Sequence, residues 1–225
     1  MKFKLIFILT ALVAINMASC SGKDGEDGMD GVDGMDGIGI DGQDGANGVG
    51  FDELTQYGYI TMKLEGTRPD DVVLQDSTSF KYTAITPGAL ADGNRVIFNG
   101  NQTAFGIQRF LSSPDDSFQQ STLGIFLSVT DLGEDSQSID VFLGVIENYA
   151  VIGDDNKFFE LDQSFDIADD SVVKSFEISN LSFDESTHHL TFSYSLTIDA
   201  AENVTGHDLT ISGDVDATPL EAITN

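Results

Sequence analysis

From His189 to Ile198 the chain alternates without a break. Leu190, Phe192, Tyr194, Leu196 and Ile198 fall on one side, and His189, Thr191, Ser193, Ser195 and Thr197 on the other. A period of two suits a strand with one buried face and is incompatible with an amphipathic helix. Leu209, Ile211 and Val215 continue the pattern in a later run, and Phe176 and Ile178 mark an earlier one. The turn residues Asp184-Glu185-Ser186-Thr187 separate the first two, so 172–216 reads as a three-stranded antiparallel meander.

Similar runs lie upstream at 57–64, 78–85, 95–99, 103–111, 122–129, 138–146 and 157–162. They are punctuated by Ala91-Asp92-Gly93-Asn94, Asn99-Gly100-Asn101 and Gly153-Asp154-Asp155-Asn156. In 138–146, Ile139, Val141, Leu143 and Val145 share one face while Phe142 and Ile146 lie on the other, which predicts a strand buried on both sides. Fourteen of the 16 Phe and all five Tyr lie in 51–225, enough large apolar groups for one core. Residues 51–225 are therefore expected to form a mainly β domain, a single antiparallel β-sandwich or barrel, opened by a short turn from Phe51 to Gln56.

The first fifty residues follow different rules. Lys2 and Lys4 precede an apolar run from Leu5 to Met17. At about 1.5 Å per residue this run spans roughly 20 Å, short of the ~30 Å hydrocarbon core of a bilayer. Positive charge before it and small residues after it read as a removable signal peptide over 1–19. The run ends at Met17-Ala18-Ser19-Cys20, which resembles the lipobox of bacterial lipoproteins. The resemblance implies cleavage before Cys20 and acylation of its thiol, so that the chain's partner is a lipid bilayer. Cys20 is the sole cysteine, which excludes a disulfide within the chain. Lys23 followed by Asp24, Glu26 and Asp27 is similar to the export signal of lipoproteins displayed on the outer face of the outer membrane.

Glycine then falls at 22, 25, 28, 31, 34 and 37 and again at 42, 45 and 48, mostly as Gly-x-Asp. Glycine at every third residue is the requirement of the triple helix, and 20–50 resembles the collagen-like repeats of bacterial surface proteins, which implies a homotrimer. Two features oppose a self-supporting triple helix: the tract holds no Pro, and it carries seven Asp and one Glu against Lys23. Fixing some 30 residues costs roughly 30–60 kcal/mol. Burying Met29, Val32, Met35, Ile38, Ile40 and Val49 returns only about 9–18 kcal/mol. The expected state is a disordered acidic tether. Gly37-Ile38-Gly39-Ile40-Asp41-Gly42 matches a dinucleotide fingerprint in letters alone, since no strand and helix flank it.

The chain has 38 acidic residues against 10 basic ones, a formal net charge of −28. Eight of the acids and three of the bases precede residue 51, which leaves 30 against 7 in the domain. Such a surface repels nucleic acid. No metalloprotease, nucleophile-elbow or P-loop motif is present. His188 and His189, as strand neighbours, should point to opposite faces, with His207 and Asp208 able to approach one of them. The acidic loops Asp131 to Asp135, Asp154-Asp155 and Asp169-Asp170 suit weak calcium binding, and no other cofactor is expected. Asp76-Ser77-Thr78 and Asp170-Ser171-Val172 resemble a bacterial O-glycosylation motif, which implies Ser77 and Ser171 as acceptors.

The expected function is that of a membrane-anchored, surface-displayed lipoprotein with a non-enzymatic binding or structural role toward a glycan or protein ligand. The alternatives are a glycan-binding accessory protein, presenting Tyr57, Tyr59, Tyr82 and Tyr149 on one sheet face, and a hydrolase with paired carboxylates.

Overall fold

The computed structural model describes residues 51–113 and 120–223. After a one-turn helix α1 (Phe51–Thr55) come β1 (Gly58–Thr67), β2 (Val73–Phe80), α2 (Pro87–Gly93), β3 (Asn94–Asn99) and β4 (Gln102–Phe110). Then follow β5 (Thr122–Thr130), β6 (Ser138–Ile152), β7 (Phe158–Asp166), β8 (Val173–Asp184), β9 (His189–Ile198), β10 (Leu209–Ala217) and the two-residue β11 (Leu220–Glu221). The strands make two sheets. One has the order β2-β1-β10-β9-β8 and is antiparallel throughout. The other has the order β11-β3-β4-β5-β6-β7 and is antiparallel except for β11 beside β3. Neither closes on itself, so the fold is a sandwich and not a barrel.

The sheets face each other across an aromatic core. On β8, Phe176 packs on Phe142 of β6 with ring centres 4.7 Å apart, and Phe183 packs edge-on against Phe105 of β4 at 4.9 Å. Phe105, Leu127 and Phe142 lie on one cross-strand rank. β8 therefore packs against strands two places apart in the opposite sheet. A corner marks where the chain leaves one sheet for the other. Here it follows β2: Tyr82 bridges Phe110 of β4, each amide donating to the other's carbonyl.

Arg109 on β4 fastens a second corner. Its side chain is fully buried with no carboxylate bonded to it among the described residues, and its N–H groups donate to the carbonyls of Tyr57, Gly58 and Gln108 and to Asn94 Oδ1. Tyr57 O also accepts from the amide of Thr218, and Asn94 Nδ2 donates to Thr218 O. One guanidinium thus ties the start of β1 to β3 and β4, while Asn94 and Tyr57 bring in the chain beyond β10. Burial, with no anion beside it, pushes the Arg109 pKa down to about 10.

The meander expected over 172–216 is present as β8, β9 and β10, and the run 189–198 is β9. Two expectations need correction. The second strand lies at Val73–Phe80, not 78–85. Its inward positions are Leu74, Asp76, Thr78 and Phe80, and the two polar ones conceal the alternation. Asp76 faces inward because the hydroxyl of Tyr149 donates to it. Nor is β6 buried on both sides: Phe142 and Ile146 enter the core, but Val141 and Leu143 are half-buried and Val145 is 41% exposed.

Candidate functional site

The outer face of the six-stranded sheet carries a groove of about 350 Å³. Its residues follow from register. Arg95, Gly106, Phe126 and Leu143 form one rank across β3, β4, β5 and β6. Gln108, Gly124 and Val145 form the next, and Phe110, Thr122 and Glu147 the third. Their neighbours along each strand, such as Phe105, Ile107, Ile125, Phe142 and Ile146, point into the core. Phe126, Leu143 and Val145 therefore present apolar surface away from the core, and Gly106 and Gly124 lower the floor between them.

One wall is α2. Thr86 caps it by accepting from the amide of Ala89, and Pro87 opens it with no amide to satisfy. Its end packs so closely on the sheet that a Cβ at Gly106 would lie 2.9 Å from the carbonyl oxygen of Asp92, and one at Gly93 3.0 Å from Gln108. Gly124 differs: a Cβ there would meet nothing nearer than 4.0 Å. Gly106 makes room for the helix, whereas Gly124 leaves open space. Asp92, Gln108, Thr122 and Glu147 supply polar groups around the lining. A largely apolar hollow with a few polar groups is the usual composition of a small-ligand site.

Arg95 stands beside this hollow. On the outward side of β3, its Cγ and Nε lie 3.6 and 3.9 Å from where a Gly106 Cβ would be. Nε is buried and has no hydrogen-bond partner among the described residues. The other six cations of the domain are engaged. Lys63 pairs with Glu65, Arg68 with Asp70 and Asp155, Lys157 with the same two, and Lys174 with Asp199 and Asp208. Lys81 lies over the Tyr82 ring, and Arg109 is held by its acceptors. Nothing in the sequence around Arg95 separates it from these six. The apolar outer positions of β6 were the readable trace of the groove.

The residues singled out from sequence do not gather here. His189 bonds Asp216 at 2.9 Å, His207 lies 3.2 Å from Asp71, and the His188 ring sits by Phe98 and Phe183. The expected approach of His207 to the histidine pair is not seen, and no group of three or more potential metal ligands forms among the described residues. The acidic loops are used as turns. Asp155 binds Arg68, Asp131 accepts from Asn101 and Ser136, and Asp169 accepts from the amide and hydroxyl of Ser171. The Ser171 donors hold the Asp169 carboxyl below its usual range.

The four-tyrosine platform does not form. Tyr149 is 5% exposed and packs on Phe80 in the core, where burial and the bond to Asp76 raise its pKa. Tyr59 is 39% exposed, on the outside of the other sheet. Ser77 is exposed on the outer face of β2, beside Lys63 of β1, and Ser171 is exposed in the turn before β8. Cys20, the signal and the Gly-x-Asp tract lie outside the described residues. No helix among the described residues is long and apolar enough to cross a membrane. No protein-family model, curated protein or solved structure matches the chain.

Proposed function

We propose that this chain is a surface-displayed lipoprotein, held to the outer membrane through Cys20, whose sandwich has a non-enzymatic binding role and whose ligand lies in the groove beside α2. The observation that carries the binding role is the uncovered apolar lining of Phe126, Leu143 and Val145 on a sheet whose opposite face already supplies the core. A concave, largely apolar hollow with a few polar groups has the make-up of a small-ligand site. The anchor is supported by the order of the first fifty residues: basic start, short apolar run, lipobox-like Cys20, then an acidic tract that spaces the domain from the bilayer. Two acyl chains give stable attachment where one is marginal.

The test is metabolic labelling of the full chain with an alkynyl fatty acid, followed by fractionation and protease treatment of intact cells. The expected result is label in the membrane fraction, loss of label and of membrane retention in Cys20→Ser, and digestion of the domain from outside. An unlabelled chain, or one unchanged by Cys20→Ser, overturns the anchor. Resistance to external protease that ends on lysis overturns surface display. Ser77 and Ser171 remain candidate glycan acceptors, and a mass increment lost in Ser77→Ala or Ser171→Ala identifies the modified one.

A further inference from the structure

We infer that β2 is a second docking surface, where an extended, cationic segment of another polypeptide adds to the five-stranded sheet as a sixth strand. The inference is independent of the groove beside α2. β2 ends its sheet, and its pairing with β1 runs without a register shift from Phe80 to Val73. The amide of Arg68 donates to the carbonyl of Val72. Hydrogen-bonded pairs alternate along an antiparallel ladder. Leu74, Asp76, Thr78 and Phe80 therefore bond β1, while Val73, Gln75, Ser77 and Ser79 turn their N–H and C=O groups to the open side. All four of the latter are exposed.

Sheet edges are normally guarded by charge, proline, bulges or a covering element. The other three edges follow that rule. β8 carries Lys174, Glu177 and Asp184 and two register shifts, β7 carries Glu160, Asp162 and Asp166, and β11 covers the start of β3. On β2 the four open positions are uncharged, and Asp76 is turned inward onto the Tyr149 hydroxyl. A hollow of about 390 Å³ lies beside the first half of β2, with Val73 and Gln75 on one side and Val151 and Ile152 of β6 on the other. Val73 is 74% exposed, Ile152 72%, and Phe158, the cross-strand partner of Ile152, 75%. Open backbone groups and uncovered apolar side chains thus meet at one corner of the sandwich.

The backbone says what kind of molecule fits. Open donors and acceptors recur every second residue, at about 6.8 Å. A polypeptide strand supplies matching acceptors and donors at the same spacing. A lipid surface would leave them unsatisfied. Charge then selects among polypeptides. A second copy of this chain would bring another 30 acids against 7 bases, and the chain's own Gly-x-Asp tract is acidic too. Both are repelled, whereas a lysine- or arginine-bearing segment is attracted. At the hollow, Asp155 is already bonded to Arg68, but Asp154 lines it with no cation bonded to it among the described residues.

The experiment selects a displayed library of short random peptides on the full chain, extracted in mild detergent, and measures the selected peptides by titration calorimetry. Beside the parent runs Gln75→Pro, which removes an N–H on the open side and leaves the ladder to β1 intact. A second arm uses each peptide in two versions, N-methylated at alternate amides and offset by one residue, since only one set can face β2. The expected peptides carry Lys or Arg with apolar residues at alternate positions. Gln75→Pro weakens them about tenfold or more with little change in melting temperature, and one methylated version binds while the other fails. The methylated pair decides the matter even where Gln75→Pro does not fold. A library that yields no such peptide, a folded Gln75→Pro that binds as tightly as the parent, or methylated versions that behave alike each overturn the inference. A full chain that sediments as a dimer without peptide, and as a monomer in Gln75→Pro, shows that a second copy fills the edge and overturns the assignment to another polypeptide.

Discussion

Arg109 shows how one residue is held without an opposite charge. Ionised carboxylates are abundant in this chain, yet its guanidinium is surrounded by three carbonyls and an amide oxygen. Those acceptors are themselves buried backbone and side-chain groups that need donors. Arg109→Met keeps much of the volume but takes a donor from each of the four acceptors, leaving Tyr57 O with the Thr218 amide alone, so the expected loss of stability is at least about 1–3 kcal/mol, the cost of a buried acceptor left without its donor. Denaturant unfolding of the two proteins measures it, and a difference below about 1 kcal/mol would mean the cluster is not structural. Glycines divide in the same residue-by-residue way. At Gly213 on β10 a Cβ would fall 1.9 Å from the carbonyl oxygen of Thr61 and 2.9 Å from the Tyr194 hydroxyl, which donates to that same oxygen. Gly213→Ala is expected to cost about 1–3 kcal/mol by overpacking. Gly124→Ala, with open space above it, should stay within about 0.5 kcal/mol. Thermal melts of the pair check the contrast, and equal effects would remove the basis for treating Gly124 as the open floor of the groove.

At the scale of elements, the turn between β1 and β2 is locked to the turn between β6 and β7. Arg68 holds Asp70 and Asp155 together, and Lys157 reaches Asp70 at 2.9 Å and Asp155 at 3.7 Å. The lysine and arginine hold the Asp70 carboxyl below its usual range, and Arg68 does the same for Asp155. A carboxylate whose pKa is lowered by folding stabilises the folded state above its unfolded value of about 4. That contribution is lost as pH falls through the lower, folded value. Arg68→Gln should therefore melt below the parent at pH 7, with the gap closing as pH falls toward 2. A gap that does not change with pH would show that Arg68 acts through packing alone. The elements also show what a reader of the sequence can and cannot see. The meander β8–β9–β10 was legible because Leu190 to Ile198 and Leu209 to Val215 keep their apolar residues in strict alternation. β2 was misplaced because Asp76, an inward position, is polar, and its partner Tyr149 lies 73 residues away. The groove was half legible. The apolar outer face of β6 announced burial, but only the fold shows that α2 covers the β4 side of that sheet and leaves Val145 open. Arg95 was not legible at all, since its lack of a partner is a property of spatial neighbours.

Across the whole molecule, net charge acts on stability in a way that no single contact describes. The domain holds 30 acids against 7 bases, and one of those bases, Arg109, bonds no carboxylate among the described residues. Self-repulsion among the rest acts over the surface and weakens the compact state relative to an extended chain. Salt changes both sides of this balance. It shortens the screening length from about 10 Å at 0.1 M to about 3 Å at 1 M, which removes repulsion between carboxylates on different turns. It also weakens the ion pairs of Lys63, Lys157 and Lys174, which are exposed to water and contribute little to begin with. Repulsive pairs outnumber attractive ones by the composition alone, so the melting temperature is expected to rise steadily with sodium chloride from low ionic strength to 1 M. Arg68→Gln should rise more steeply than the parent, because it has lost its best-connected ion pair and kept the carboxylates around it. A parent melting temperature that falls with salt would mean that the few ion pairs outweigh the many like charges, and the acidic surface would then have to be organised more favourably than its composition suggests.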